Sequence, residues 1–470
     1  MWRFFKDFFV YGIASIIGKV AAVFLMPIYT SILTQEEYGA QALIASFILF
    51  FDVLANLNIH SGIGRDYYET SIEQRKKLVS TGFFSVLGCS IPLTICVILC
   101  SGWITADILE IPRYKTEFCI YACTLVATSC QTYFAVITRF RKKPILFTIG
   151  TALKIAVQMS ISIYGVVVLR AGIISIMIGA LCSECFGALF YGFINRESIG
   201  VLYDKKIIKR ALLFSIPTIP AIVAGWLDSS FGQILIGKYI SVADAGVYSI
   251  ALHIASVFGL VNVAFHNVWS PYLFENYKKT TFEKEVKRLY ATIMLILILI
   301  SVNISLFSNE IILLLSNESY LSAAKYLTLL CLPMSIYVTF PFASSGVSIS
   351  RDTKYISISY VAGSLLNVLV LFALLPNIGV IGVPIALFAS RISTFYILYY
   401  VTKAKGLLTL PQSYIILLVV SVICCYAINS MMNIHIRVVA IVFINIALLL
   451  YSYKKLNVAE LVAQIVTKRR

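Results

Sequence analysis

The chain has 470 residues, of which 60% are hydrophobic and only 13% are charged. Water-soluble domains carry roughly 25% charged residues, so this composition excludes a soluble enzyme, a nucleotide-binding domain or a nucleic-acid-binding domain. Apolar stretches of about 20 residues, enough to cross ~30 Å of hydrocarbon, recur along the whole length. The formal net charge of +16 is best explained by basic residues in the loops on one side of the membrane.

Fourteen membrane-spanning helices are predicted from these apolar stretches. In chain order they cover 8–33, 40–64, 79–102, 114–138, 144–169, 171–195, 211–237, 244–275, 285–307, 320–347, 355–375, 377–401, 411–430 and 436–453.

The distribution of basic residues predicts the orientation. With the N-terminus in the cytoplasm, most of the 38 Lys and Arg residues fall on cytoplasmic segments. Positive residues favour that side of a membrane. We therefore expect a multi-pass membrane protein with both termini in the cytoplasm. The basic clusters behind this assignment are Arg75-Lys76-Lys77, Arg141-Lys142-Lys143, Lys205-Lys206 and Lys278-Lys279.

Two halves of the chain resemble each other at an offset of 207 positions. Glu37-Tyr38-Gly39 corresponds to Asp244-Ala245-Gly246, and Gly172-Ile173-Ile174 to Gly379-Val380-Ile381. Because each half holds an even number of helices, the repeats insert in the same orientation, around an axis along the membrane normal. The predicted fold is an all-α membrane protein with two parallel six-helix lobes. The lobes are 1–200 (helices 1–6) and 201–402 (helices 7–12), followed at 403–470 by helices 13 and 14 and a basic cytoplasmic tail.

Several motifs, in their order and spacing, resemble one family. The chain is similar to bacterial O-antigen (Wzx-type) polysaccharide-unit flippases, in the superfamily that also holds the MATE exporters and the lipid II flippase. One departure is Gly232-Gln233, where members of the family often carry an Asp-Arg or Asp-Lys pair. The motifs are Leu33-Thr-Gln-Glu-Glu-Tyr-Gly39, Gly64-Arg-Asp-Tyr-Tyr-Glu69, Trp269-Ser-Pro-Tyr272, Gly363-Ser-Leu-Leu-Asn367 and Leu375-Pro-Asn-Ile-Gly-Val-Ile-Gly382.

The resemblance implies a function and its partners. Relatives move an oligosaccharide on an undecaprenyl pyrophosphate carrier from the cytoplasmic to the periplasmic leaflet without ATP hydrolysis. The partners to expect are this lipid-linked substrate, membrane lipids and, in the same pathway, a polymerase and a chain-length regulator. Coupling to protons or sodium ions is left open. No catalytic residue, cofactor, metal or nucleic acid is expected.

Ionisable residues deep inside helices are the candidate functional residues. A charge at mid-bilayer costs at least ~2.5–3.5 kcal/mol, so such groups normally face a cavity or a partner. Lys19 and Asp52 lie at matched depths on neighbouring helices, and so do Lys154 and Glu184. Both pairs could be internal salt bridges; alternatively, the basic residues could line a cavity and attract the pyrophosphate while the acids take part in coupling. The full set is Lys19, Asp52, Lys154, Glu184, Asp228 and Arg391.

Arg391 is the strongest candidate for contact with substrate. It is the repeat equivalent of Glu184, since 184 plus 207 is 391, and no acid stands at matched depth on the neighbouring helices. Arginine also suits bidentate phosphate binding. Asn367 could bond sugar hydroxyls, and the histidines of helix 8, His253 and His266, could relay protons or could be interior hydrogen-bonded residues.

Two other functions remain in view at this stage. A drug or cation antiporter of the MATE type would share the two-lobe plan with twelve helices. A membrane polysaccharide polymerase or ligase would have about a dozen helices but a large outer loop. The predicted outer segments are all short, which counts against the enzyme, and the two additional helices favour the flippase.

Overall fold

The computed structural model describes residues 18, 21–350, 352, 354–406, 408–431, 437 and 445. Within that part of the chain every regular element is helical. Ten segments there are long and apolar enough to cross a membrane, and the longest, Lys354–Ala404, spans two predicted helices. The prediction of an all-α, multi-pass membrane protein is confirmed. The count of fourteen stays a prediction, because Lys19, most of helix 14 and the basic tail lie outside the described residues.

The chain divides into two compact units, Met1–Ile250 with Leu315–Asn317, and Ala251–Leu314 with Glu318–Arg470. The predicted lobe boundary near 201 remains a separate, repeat-based prediction. The helices up to the division are α1 (Ala21–Ile32), α2 (Gln35–Asn56), α3 (Ile59–Tyr67), α4 (Ile72–Leu99), α5 (Lys115–Ala122), α6 (Thr124–Phe140), α7 (Pro144–Ile163), α8 (Ile173–Ile194), α9 (Lys205–Ser215), α10 (Ile219–Trp226), α11 (Gly232–Tyr239) and α12 (Val242–Ala255), within which it falls.

The helices after the division are α13 (Phe258–Asn276), α14 (Phe282–Leu306), α15 (Ser308–Leu315), α16 (Ala323–Val338), α17 (Phe340–Ala343), α18 (Ser345–Ile349), α19 (Lys354–Ile378), α20 (Gly382–Ala404) and α21 (Ser413–Met431). Predicted helices 8 and 10 are divided in the structure. The prediction 244–275 corresponds to α12 and α13, and the prediction 320–347 corresponds to α16, α17 and α18.

The repeat is visible in the way that α2 and α12 begin. Thr34 and Glu37 form a reciprocal capping box at the start of α2. At the equivalent positions at the start of α12, the Ser241 hydroxyl accepts from the backbone N–H of Asp244 and donates to its carboxylate. Capping side chains satisfy the free N–H groups of a first helical turn. The box starts α2 five residues earlier than the predicted helix 40–64.

The same two helix ends pack against each other through equivalent glycines. A Cβ on Gly39 would lie 1.9 Å from the carbonyl oxygen of Val242, and a Cβ on Gly246 would lie 2.5 Å from the carbonyl oxygen of Gln35. Positions 35 and 242 are themselves repeat equivalents. The contact is thus reciprocal, as a two-fold relation between like elements requires.

The turns before α8 and α20 also correspond. Gly172 has φ +66° and Gly379 has φ +65°, a left-handed conformation that glycine adopts with little cost. Each glycine turns the chain between two helices that pack closely. A Cβ on Gly179 would meet the Ser162 hydroxyl at 2.2 Å, and one on Gly363 would meet the Thr394 hydroxyl at 2.1 Å. Small residues at these crossings let the membrane helices approach each other.

Predicted helix 2 is broken, contrary to the continuous span 40–64. Leu57 and Asn58 both have positive φ, 43° and 50°, and separate α2 from α3. Asn58 holds the break: its amide donates to the Thr218 hydroxyl at 2.9 Å, and its carbonyl accepts from the Ser215 hydroxyl at 2.9 Å. Ser215 precedes a 3₁₀ turn at Ile216–Thr218, and Thr218 is the last residue of that turn. Tertiary hydrogen bonds therefore stabilise a backbone conformation that local sequence disfavours.

Asp204 stabilises the connection between predicted helices 6 and 7. Its carboxylate accepts from the backbone N–H of Lys206 and caps α9, and it forms an ion pair with Lys77 at 2.7 Å. The hydrogen bond from Lys77 and the backbone N–H together lower the pKa of Asp204 below its usual value.

An ion pair in the second unit reaches beyond α21. Arg437 is buried, and its guanidinium donates to both carboxylate oxygens of Glu310, to the Asn429 side chain and to the carbonyl oxygen of Leu306. A bidentate Arg–carboxylate pair fixes geometry as well as charge. Arg437 is thereby joined to α15 and α21.

Candidate functional site

Lys154 on α7 and Glu184 on α8 form an ion pair inside the membrane-spanning part of the first unit. The Lys154 ammonium lies 2.7 Å from Glu184 Oε1, and the two side chains are 19% and 18% exposed. The Ser183 hydroxyl donates to the carbonyl oxygen of Lys154 and ties the two helices together. The salt-bridge alternative raised for this pair is thus what the structure contains. Glu184 Oε2 is buried and has no hydrogen-bond partner among the described residues.

Asp52 on α2 joins this pair. Its carboxylate accepts from the Asn56 amide at 2.9 Å, and it interacts electrostatically with both Glu184 and Lys154. We call Asp52, Lys154 and Glu184 the charged cluster. With all three ionised, it carries two negative charges and one positive charge. The predicted alternative partner of Asp52, Lys19, lies outside the described residues.

Tyr121 belongs with the charged cluster, and the sequence did not point to it. Its phenol interacts electrostatically with Glu184 and Asp52. A lone tyrosine in an apolar helix is an ordinary residue, and only the folded arrangement of α2, α5 and α8 brings it to the carboxylates. It supplies a hydroxyl, which can donate to or accept from a neighbour.

Asp228 lies in a π-helical turn, Leu227–Phe231, in the middle of the segment that contains α10 and α11. Its side chain is buried. Single π turns within membrane helices often occur at functional positions. Gln233, where relatives often carry a charged pair, instead accepts a hydrogen bond from Ser46 of α2 at 3.0 Å. The same stretch of α2 accepts from the indole of Trp226.

Arg391 on α20 has a different environment from its repeat equivalent Glu184. Its guanidinium carbon lies 4.6 Å from the ring centroid of Tyr337 and 5.9 Å from that of Phe340. Arginine stacks on aromatic faces through cation–π attraction, worth ~0.5–2 kcal/mol. The aromatic rings thus hold the planar guanidinium in one orientation.

The two rings also form the wall of a cavity of about 240 Å³, which we call the second-unit cavity. His266 of α13 lies in this lining, close to the rings that contact Arg391. Asn262 also contributes, and its Oδ1 is buried without a hydrogen-bond partner. None of the ten lining residues carries a carboxylate, an ammonium or a guanidinium. They are Asn262, His266, Tyr337, Phe340, Pro341, Ser344, Ser348, Ile356, Tyr360 and Leu398.

His253 and Asn367 are outside this lining. The side chain of His253, on α12, is exposed, and that of Asn367, on α19, is 4% exposed. The structure therefore places His266 in a cavity whose aromatic wall also contacts Arg391, and it places Asp52 with Lys154 and Glu184. The roles predicted for all these residues remain predictions.

No group of three His, Cys, Asp or Glu side chains among the described residues is arranged to hold a metal ion.

Comparisons with known proteins agree with this architecture. A family profile described as "Polysaccharide biosynthesis protein" matches residues 28–325. A Lsg locus protein of Haemophilus influenzae is 22% identical over 430 residues, which cover 85% of this chain and 98% of that protein.

Two solved structures resemble the fold. The lipid II flippase MurJ, in an inward closed conformation, has a TM-score of 0.76 at 17% identity, covering 95% of this chain and 99% of that one. An inward-facing multidrug MATE transporter of the MOP superfamily has a TM-score of 0.67 at 14% identity, covering 84% and 95%. The chain therefore has the MurJ and MATE fold.

Proposed function

Because the chain belongs to the polysaccharide biosynthesis protein family and has the fold of the MOP flippases, we propose that it flips lipid-linked oligosaccharide units. The substrate is an oligosaccharide on undecaprenyl pyrophosphate, and it moves from the cytoplasmic to the periplasmic leaflet of the inner membrane. The movement is alternating access by two lobes, 1–200 and 201–402. The termini are cytoplasmic, and a polysaccharide polymerase uses the flipped unit.

The observation that carries this proposal is the chemistry of the second-unit cavity. Arg391 lies against its aromatic wall, and the lining has no carboxylate. A cavity beside a fixed guanidinium suits an anionic headgroup with neutral sugars, because arginine binds phosphate oxygens bidentately. The lining offers a lipophilic cation no carboxylate to neutralise its charge.

The charged cluster favours a coupling role. Among the described residues, Asp52 and Glu184 share one positive partner, Lys154, so a proton or a sodium ion would relieve the excess negative charge. Asp228, His253 and His266 are further candidates for this role. The same cluster is the specific observation in favour of the second candidate function, a MATE-type cation antiporter.

Reconstitution of the purified full chain separates the two functions. Liposomes carry undecaprenyl pyrophosphate linked to an oligosaccharide with a terminal galactose, and external galactose oxidase reports the accessible fraction. We expect that fraction to exceed its value in protein-free liposomes, because inner-leaflet substrate becomes accessible. An unchanged fraction, together with ethidium uptake driven by a proton or sodium gradient, would instead establish the antiporter.

A further inference from the structure

The second-unit cavity has a polar lining of an unusual kind for a membrane-spanning region. Its polar groups are neutral hydroxyls from Ser344, Ser348 and Tyr360, the amide of Asn262 and the imidazole of His266. Tyr337 and Phe340 add aromatic faces at a mutual centroid distance of 5.3 Å. Hydroxyl and amide groups beside aromatic faces match a sugar ring, which presents hydroxyls at its edge and C–H groups on its face.

One lining atom lacks a partner. Asn262 Oδ1 is buried and accepts no hydrogen bond within the described protein. Leaving such an atom unpaired costs about 1–3 kcal/mol, so a buried unpaired acceptor indicates a donor that comes from elsewhere. A sugar hydroxyl is a donor of the right kind and size.

The cavity size limits what can enter. Its 240 Å³ is just below the ~300–1,000 Å³ of pockets for drug-sized ligands. It can hold one sugar ring and not a whole oligosaccharide. The neighbouring Arg391, held on the shared wall of Tyr337 and Phe340, marks the side on which negative charge is favoured.

We propose that the second-unit cavity is a subsite for one neutral sugar ring of the transported oligosaccharide, bound through Asn262 and the aromatic wall. This inference rests on the proposed function and adds a separate site for sugar recognition beside the phosphate-binding Arg391. The protein then recognises the sugar as well as the carrier.

The first experiment uses two substrates in the reconstituted system. One is undecaprenyl pyrophosphate that carries the oligosaccharide, and the other is undecaprenyl pyrophosphate that carries one sugar. Asn262→Leu keeps the side-chain size and removes the amide. We expect the KM for the oligosaccharide-bearing carrier to rise about tenfold, as the loss of ~1.4 kcal/mol would give, while kcat changes less than twofold. The matched control, Asn377→Leu, changes an exposed residue near the end of α19 and should leave both parameters unchanged.

A second measurement does not depend on transport. Ser348→Cys places a thiol in the lining, and its reaction with a water-soluble maleimide is followed by mass spectrometry of that peptide. Oligosaccharide released from its carrier should slow the reaction at least about threefold. The control Ser350→Cys, at an exposed position that bonds Lys405, should react at an unchanged rate.

The outcomes distinguish the two proposals. If the wild type flips neither substrate, the proposed function fails. If it flips both, but Asn262→Leu leaves KM unchanged and released oligosaccharide does not protect Ser348→Cys, the sugar subsite is wrong while the function stands. Protection of Ser348→Cys by ethidium, and not by the oligosaccharide, would also overturn the subsite and assign the cavity to organic cations.

Discussion

Glu184 of the charged cluster and Arg391 beside the second-unit cavity occupy equivalent positions of the sequence repeat and carry opposite charges. Glu184 is paired with Lys154 and lies in the field of Asp52, whereas its repeat equivalent Arg391 stacks on Tyr337 and Phe340. The helices that carry them, α8 and α20, each follow a glycine with positive φ, Gly172 and Gly379. The predicted repeat thus has an internal ion pair at this position in one half and a guanidinium on an aromatic wall in the other.

The difference predicts unequal consequences of removing charge. Arg391→Ala should lower the flipping rate roughly 10²-fold at unchanged protein level, since losing about 3 kcal/mol of charge-assisted hydrogen bonding corresponds to that factor. Arg391→Lys keeps the charge, loses the planar fork, and should retain only part of the rate. The galactose oxidase assay measures both. Wild-type flipping by Arg391→Ala would remove this residue from the substrate path.

In the charged cluster, single substitutions should act mainly on stability. Lys154→Met leaves the Glu184 and Asp52 carboxylates without their shared positive partner, and breaking a buried pair in this way costs about 3–5 kcal/mol. The double variant Lys154→Met with Glu184→Met removes both charges and should recover most of the melting temperature in detergent. A double variant less stable than either single variant would contradict the pairing.

The comparison depends on the repeat, and the crossing of α2 and α12 tests it. Gly39→Ala and Gly246→Ala each force a methyl group against backbone, so both should destabilise by a similar amount, about 1–3 kcal/mol. Gly225→Ala is the matched control, because a Cβ there meets nothing within 4 Å. Melting temperatures measured in one detergent give the comparison. Clearly unequal effects at 39 and 246 would argue against a reciprocal contact.

The glycine turns give the smallest expected effect. Gly172→Ala and Gly379→Ala place a side chain at positive φ and should each cost about 1–2 kcal/mol. Gly88→Ala, within α4 and in open space, is the control. A shift in melting temperature at only one of the two turns would show that their backbones differ in solution.

Hydropathy and the 207-residue offset were enough to predict the helical membrane fold and the equivalence of Gly172 with Gly379. Matched depth alone also singled out Lys154 with Glu184, because two charges at one level of adjacent helices have few alternatives. The break at Leu57–Asn58 could not be predicted, since it is stabilised by a hydrogen bond from the Ser215 hydroxyl to Asn58 and by one from the Asn58 amide to Thr218.

The surroundings of Arg391 could not be predicted from the sequence either. Tyr337 and Phe340 lie more than 50 positions earlier, in a stretch predicted as one helix, 320–347. The structure divides that stretch into α16, α17 and α18, and the divisions place the rings beside α20. Aromatic residues occur throughout this chain, so their spacing alone carried no signal.

Depletion of the protein in its own host, in a strain without another flippase for the same carrier, tests the central claim most directly. The measurement is the side of the inner membrane on which lipid-linked oligosaccharide can be reached by an impermeant reagent. We expect the units to accumulate on the cytoplasmic face and the surface polysaccharide to disappear. Unchanged surface polysaccharide, with the units still reaching the periplasmic face, would contradict the account.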